Sequence, residues 1–212
     1  MNAPIATTKP VRPPIRPDLQ IVADWIEPGS RVLDIGCGEG DLLAYLGAHK
    51  GVDGRGIEIR GAKVNQCVEA GLSVIRGDAN TDLSLYPTGS FDYVVLTQTL
   101  QAVEQPKQVL EELIRVGTKA IVAIPNFGYW RNRISFLFNG RMPITHQLDQ
   151  PWYETKNIHL CTIRDFIDLI NLMDLTIDQA VVLERGARRS SVQVDSRRAN
   201  LFGEQAIFLL ER

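Results

Sequence analysis

Cysteine, net charge and long apolar runs are all scarce in this chain, and each shortage excludes something. Three cysteines in 212 residues, Cys37, Cys67 and Cys161, are odd in number and scattered. No disulfide framework can be drawn from them, and the expected compartment is a reducing one. No apolar run approaches the length of about 20 residues that crosses a bilayer, and the first residues lack the apolar core of a signal peptide. The expected location is therefore cytoplasmic. Charged residues are present in ordinary number, but 23 Lys and Arg against 25 Asp and Glu leave a net charge of only -2 and a pI near 5.9. That balance argues against a general binder of nucleic acid or membrane surface. What remains, with 44% apolar residues, is the composition and length of one large domain with a core of its own.

Proline is plentiful only at the start. Residues 1–17 carry five of the eleven prolines, which predicts an extended, mobile tail in which Arg12 and Arg16 are solvated or touch a partner. Residues 18–212 read as a single domain. Asp18 is expected to cap a first helix whose apolar face is Leu19, Ile21, Val22, Trp25 and Ile26, ended by Pro28-Gly29.

The stretch around which the chain is organised is Arg31-Val-Leu-Asp-Ile-Gly-Cys-Gly-Glu-Gly40. Val32, Leu33 and Ile35 read as a buried parallel strand, the alternate glycines as a turn, and Asp41 to Leu46 as the next helix. Strand, glycine turn and helix form a nucleotide-binding arrangement. The spacing is G-x-G-x-G, however, and not the G-x-G-x-x-G of a dinucleotide site. Asp34, Glu39 and Asp41 crowd the turn, and carboxylates within a few ångströms would repel a pyrophosphate. S-adenosylmethionine fits better, because it carries a sulfonium and an α-ammonium and no phosphate. Asp34 is expected to face its positive groups while backbone amides take its carboxylate.

Two further acids fall at strand ends. Glu58 lies 24 residues past Asp34 at the end of a strand read over Val52 to Ile59. There it either accepts from the two ribose hydroxyls of a nucleoside or caps the helix read over Ala62 to Ala70. Asp78 follows Val74-Ile-Arg-Gly and either accepts from an adenine amino group, with the amide of Ala79 meeting a ring nitrogen, or is a turn residue. The carboxyl ends of an open parallel sheet are where its ligands bind, so the three acids carry more weight together than apart.

Further strands are expected at Phe91 to Thr97 and Ala120 to Pro125, with a turn from Gln98 to Val103, a helix opened by Pro106, and another helix over Thr162 to Asp174. Strands alternating with helices predict βαβ crossovers, a parallel sheet and helices on both faces. Leu175 to Glu184 and Gln205 to Leu210 show no helical pattern between them and are expected to pair antiparallel.

This order resembles the class I S-adenosylmethionine-dependent methyltransferase fold over residues 30–212: α/β, three-layered and doubly wound, Rossmann-like, with a seven-stranded mostly parallel sheet and an antiparallel C-terminal strand. Asp34-Ile-Gly-Cys-Gly-Glu-Gly40 matches the cofactor loop of that family. The runs Asp18 to Gly29, Thr97 to Gln101, Pro125 to Asn132 and His159 to Cys161 resemble the MetW family of methionine biosynthesis proteins. The resemblance implies S-adenosylmethionine or S-adenosylhomocysteine as ligand, held by Asp34, Gly36, Cys37, Gly38, Gly40, Glu58, Ile59, Asp78, Ala79, Thr97 and Gln98. It assigns no catalytic residue and no metal ligand. It also implies an accessory, activating association with a MetX-type homoserine O-acetyltransferase or O-succinyltransferase, so the step from fold to enzyme is weakened.

Two segments stay open. Residues 126–161 are expected to form an inserted segment containing Phe127, Tyr129, Trp130, Trp152 and Tyr153 with Arg131, Arg133, Arg141, His146 and His159. It reads as a lid over an acceptor with His146 or His159 as base, as a set of Trp, Tyr and Arg anchors for another protein, or as a long connection packed on the core. The end of the fourth strand, Thr97-Gln98-Thr99-Leu100, carries no Asn/Asp-Pro-Pro-aromatic turn of the kind that amino-methylating enzymes of nucleic acids use. Arg185, Arg188, Arg189, Arg197 and Arg198 flank three serines in what reads as a solvated hairpin loop or a dock for an acidic partner.

Overall fold

A computed structural model describes residues 15–141, 158–184, 188–189 and 193–212. Its first strand, β1 (Arg31–Ile35), pairs in parallel with β2 (Asp53–Glu58) on one side and β4 (Phe91–Thr97) on the other. With β3 (Ser73–Arg76), β5 (Gly117–Pro125), β6 (Thr176–Glu184) and β8 (Gln205–Glu211) the sheet runs β3-β2-β1-β4-β5-β8-β6. The first five strands are parallel, and β8 inserts antiparallel between β5 and β6. The chain leaves β1 toward β2 and later returns to β1's other edge as β4. The switch in winding direction therefore lies between β1 and β4, where an open α/β sheet forms its ligand crevice.

The side chains of the central strands show why the sheet is covered on both faces. Leu33, Ile35, Val94, Leu96, Val122 and Phe208 join one buried cluster with residues of α4 (Pro106–Val116) and α6 (Ile163–Leu172). Val32, Val95, Ile121 and Leu209 join another beneath α1 (Pro17–Trp25) and α2 (Asp41–Lys50). Each fully buried Val, Leu or Ile contributes about 1.5–3 kcal/mol relative to exposure, so a strand apolar on both sides holds only when both helical layers are present. By the two-residue period Asp34 shares the face of Val32, beneath α1 and α2.

Local chemistry sets the element ends. Pro17 opens α1, and Asp18 lies inside its first turn instead of capping it. The ammonium of Lys50 donates to the carbonyls of Ala23 and Ile26, closing the end of α1 from the end of α2. Thr162 and Asp165 form a reciprocal capping box at the start of α6. Two elements depart from expectation. A six-residue helix, α7 (Arg197–Phe202), sits between β6 and β8 where no helical pattern was read; Ser196 caps it by accepting from the Ala199 amide, and Ala199 and Asn200 are buried. Arg188–Arg189 pair with β6 as a short β7, which adds an eighth strand at the edge and makes part of the arginine loop a strand. Residues 1–14, the segment 142–157 with His146, Trp152 and Tyr153, and the loop residues 185–187 and 190–192 lie outside the described residues.

Candidate functional site: a cleft at the ends of β1 and β4

The turn after β1 folds back on β2. The amides of Gly36 and Cys37 both donate to the Ile57 carbonyl, at 2.8 and 3.2 Å, and the Gly38 amide donates to Glu58 Oε2 at 2.9 Å. Gly36 has φ +71°, and a Cβ there would stand 2.5 Å from Thr99 Oγ1. Gly40, φ +77°, begins α2, and a Cβ on it would stand 2.4 Å from Leu72 Cδ1. Both a left-handed backbone and close packing thus demand glycine at each position. Cys37 packs toward Gly56 as a small filler, and burial, reinforced by Asp34, pushes its thiol well above the ordinary range. That is the opposite of an activated thiol.

A cleft of about 300 Å³ opens above this turn. Asp34, Gly36, Cys37, Gly38 and Glu39 from the β1 end meet Thr97, Gln98 and Thr99 from the β4 end, with Arg16 just before α1, Leu19 in it, Asp41 and Leu42 at the start of α2, Arg60 just before α3 (Gly61–Glu69) and Lys63 in its first turn. Gln98 is held at φ +52°, a left-handed conformation uncommon outside glycine. Its amide donates to the Ala123 carbonyl and its Nε2 to Asp18 Oδ2 at 3.3 Å, pinning the start of α1 over the end of β4.

The charges sort by depth. Arg16 pairs with Asp18 at 3.1 Å, Arg60 with Glu58 at 3.1 Å and Lys63 with Glu39 at 3.6 Å. Each cation near the rim is therefore matched, and the wall is less one-sidedly acidic than the sequence suggested. Asp34 is different. It is 2% exposed, and its Oδ1 is buried with no hydrogen-bond partner. Burial, then the nearby Glu58, raises its pKa to about 7, with Arg16 pulling the other way. Glu58 shows the contrast: burial alone would raise it, yet hydrogen bonds from Arg60 and the Gly38 amide hold it below the usual carboxylate range. The Gly38 amide, placed where a Gly-rich loop would meet a phosphate, already binds a carboxylate.

Of the residues expected to bind the cofactor, six line this cleft: Asp34, Gly36, Cys37, Gly38, Thr97 and Gln98. Gly40 and Glu58 are buried behind it and shape the turn. Ile59 is exposed, and Asp78 and Ala79 follow β3 outside the lining. Asp78 Oδ1 accepts from the backbone and side-chain nitrogens of Asn80, an Asx turn, while its own amide donates to Asp82. Sequence reasoning missed Arg16, Leu19, Leu42, Arg60, Lys63 and Thr99 as lining residues. Lys63, one turn into the helix after β2, had a readable position; Arg16, assigned to the tail, had none, because α1 brings it to the cleft only in three dimensions.

The residues present fit an adenosyl ligand bearing a cation. An unpartnered buried carboxylate faces the cleft, and Gly38 leaves space there, with Lys63 Nζ 3.9 Å from the position of its missing Cβ.

Comparison with known proteins agrees with this architecture. The family profile of methionine biosynthesis protein MetW matches residues 16–210. The bifunctional methionine biosynthesis protein MetXA/MetW of Rhodopirellula baltica is 35% identical over 173 residues, 77% of this chain and 28% of that protein. A ubiquinone biosynthesis O-methyltransferase of Xanthomonas axonopodis pv. citri is 32% identical over 132 residues, 58% of this chain and 52% of that protein. The chain thus spans about half or less of the length of these curated relatives. An S-adenosylmethionine-dependent methyltransferase from Mesorhizobium loti superposes with TM-score 0.65 at 16% identity, covering 92% of this chain and 96% of that one, a likeness of fold alone. The fold is that of the class I methyltransferases, and the chain belongs to the MetW family of methionine biosynthesis proteins.

Proposed function

We propose that this chain binds S-adenosylmethionine or S-adenosylhomocysteine in the cleft between β1 and β4, and serves methionine biosynthesis as an accessory protein that associates with a homoserine O-acyltransferase and raises its activity. The observation that carries the ligand half is Asp34: a buried carboxylate whose Oδ1 lacks a partner is costly unless a cation meets it. Asp34 takes the ligand's positive groups. Glu58, its Oε1 taken by Arg60 and its Oε2 by the Gly38 amide, lies behind the turn, so a ribose hydroxyl would have to reach the remaining lone pair of Oε2. Reading adenine at Asp78 falls to its second oxygen and to the Ala79 amide, because Oδ1 is committed to Asn80. S-adenosylmethionine, when bound, supplies an activated methyl group on sulfur. Arg16, Thr97, Gln98 and Thr99 line the cleft and would border the ligand.

The partner half is supported by the Rhodopirellula relative, whose name joins MetXA to MetW in one protein. A ligand that favours one state of such a complex shifts the association by its differential affinity, which would make the cleft a feedback sensor for the pathway's downstream product. The test is copurification with the acyltransferase, together with assays of that enzyme with and without this chain. A stable complex and a faster enzyme are expected; no association and no rate change would refute the accessory role.

A second reading, a methyltransferase acting on a small molecule, draws on the cleft's extension to Thr97, Gln98 and Thr99 and on the name of the Xanthomonas relative. It predicts methylated product from labelled cofactor and a loss of turnover in Asp34→Ala. Turnover that survives that substitution belongs to a contaminant.

A further inference from the structure

Helix α5 (Trp130–Asn139) breaks the pattern of the rest of the fold: among its ten residues none is buried. Ile134, Leu137 and Phe138 are 45%, 76% and 79% exposed, and with half-buried Trp130 they recur at i, i+4, i+7 and i+8, which is one stripe of a helix. Phe136, off this stripe, is 56% exposed as well, and Leu160 is 50% exposed. Apolar side chains scattered singly over a surface need no explanation, but four on one short helix do.

Loose attachment does not account for them. The root of the helix is tied down by a buried side chain and by backbone hydrogen bonds. Buried Asn126 donates to the carbonyls of Asn200 and Gly203, at 2.9 and 2.8 Å, and its Oδ1 accepts from the amide of Gly128 at 3.0 Å. The Phe127 amide donates to the Cys161 carbonyl, and Arg133 Nε to the Gly128 carbonyl. A rigid base therefore presents an apolar stripe outward, the preorganisation that a binding helix needs. The charges carried by this segment have one sign: Arg131, 5.5 Å from the Trp130 ring, Arg133 and Arg141, with no Asp or Glu from Phe127 to Arg141, while Glu204 hydrogen-bonds Tyr129 at its base. In a chain of net charge -2 this is a local basic rim around an apolar centre, the layout of a protein interface, with the Trp, Phe and Arg types that anchor one.

We infer that the stripe Trp130, Ile134, Leu137 and Phe138 is the surface on which the acyltransferase docks, entering an apolar groove with an acidic rim. This inference rests on the partner reading above, and on the Rhodopirellula relative as the reason the occupant is another polypeptide. The helix follows β5, parallel to β1 and β4, so the stripe is rooted at the end of the sheet that carries the cleft. Ligand and partner thus act on neighbouring structure.

The test compares the full chain with its Leu137→Glu and Phe138→Glu variants for binding to the acyltransferase by surface plasmon resonance, with S-adenosylhomocysteine affinity and melting temperature as controls. The expected result is binding by the parent chain and weakening of about 30-fold or more in each variant, with both controls unchanged. Equal binding by parent and variants overturns the docking surface and leaves the partner reading standing. No binding by the parent chain overturns both. A fall in melting temperature of the size of a core substitution shows that the chain covers this stripe itself, and overturns the inference. Two other outcomes also overturn it: concentration-dependent self-association that the variants abolish, and flotation with vesicles of anionic phospholipid that they abolish.

Discussion

The turn after β1 and the turn after β5 leave the sheet at the same end and are built from opposite materials. The first is made of glycines and closes inward on a carboxylate, Asp34, whose Oδ1 has no partner. The second is knotted by Asn126, whose side chain makes three close hydrogen bonds to backbone groups, and sends out a helix whose apolar side chains are exposed. One end of the molecule thus carries a polar group short of a cation and, beside it, an apolar stripe short of a cover. Native structures seldom leave either uncompensated, and each points to something that binds.

Breaking the rigid part of the second turn should have the largest effect. Asn126→Ala would leave the Asn200 and Gly203 carbonyls and the Gly128 amide buried without their partner. At about 1–3 kcal/mol for each unsatisfied group, partly relieved by relaxation, the expected loss is about 3 kcal/mol in urea unfolding. A loss below about 0.5 kcal/mol would show that the root is not rigid and weaken the contrast. Next comes the first turn. Gly36→Ala combines a left-handed backbone with a Cβ 2.5 Å from Thr99 Oγ1, an expected loss of about 2 kcal/mol. Pairing it with Thr99→Gly should restore the part due to contact but not the part due to φ.

The Asp34 carboxylate sharpens the comparison through pH. Its folded pKa, about 7, lies above the ordinary 3.8. Between those values the folded chain holds a proton that the unfolded chain has released, so stability should fall as pH rises through about 4 to 7. Glu58 has the opposite sign: its lowered pKa gives stability that is lost as pH falls below the carboxylate range. Asp34→Asn should flatten the melting curve measured from pH 5 to 8; an unchanged slope would assign the effect elsewhere. The smallest effect belongs to the stripe. Leu137→Glu should change the stability of the isolated chain by no more than about 0.5 kcal/mol, since its side chain is mostly exposed.

These two turns were not equally legible in the sequence. Val32, Leu33 and Ile35 ahead of alternate glycines form a short-range pattern, and β4 runs from Phe91 to Thr97 as expected. The parallel pairing of the first five strands followed from the alternation of elements, and the antiparallel pairing of β6 with β8 from the absence of a helical crossover read between them. Long-range contacts were hidden. That Gln98 reaches Asp18 across the cleft and that Glu58 spends Oε2 on the Gly38 amide depend on where other segments fold, whereas the turn of Asp78 toward Asn80 is local and is one of the two readings its position left open. Residues 126–161 read as a lid, an interface or packing because its aromatics suit all three. The helical stripe was masked there by Arg and Asn, and only the exposure of Leu137 and Phe138 separates a binding face from a core face. The short α7 was hidden for a different reason: six residues give less than two turns of periodicity.

Titration calorimetry of the whole chain with S-adenosylhomocysteine at pH 6 and pH 8, in buffers of different ionisation enthalpy, tests the central claim most directly. A ligand cation meeting Asp34 must expel the proton that the empty cleft holds below about pH 7. Affinity should therefore rise by up to about tenfold per pH unit below that value, with proton release at pH 6 that vanishes in Asp34→Asn. Absence of heat with either S-adenosylhomocysteine or S-adenosylmethionine, together with tight binding of NADH, would contradict it.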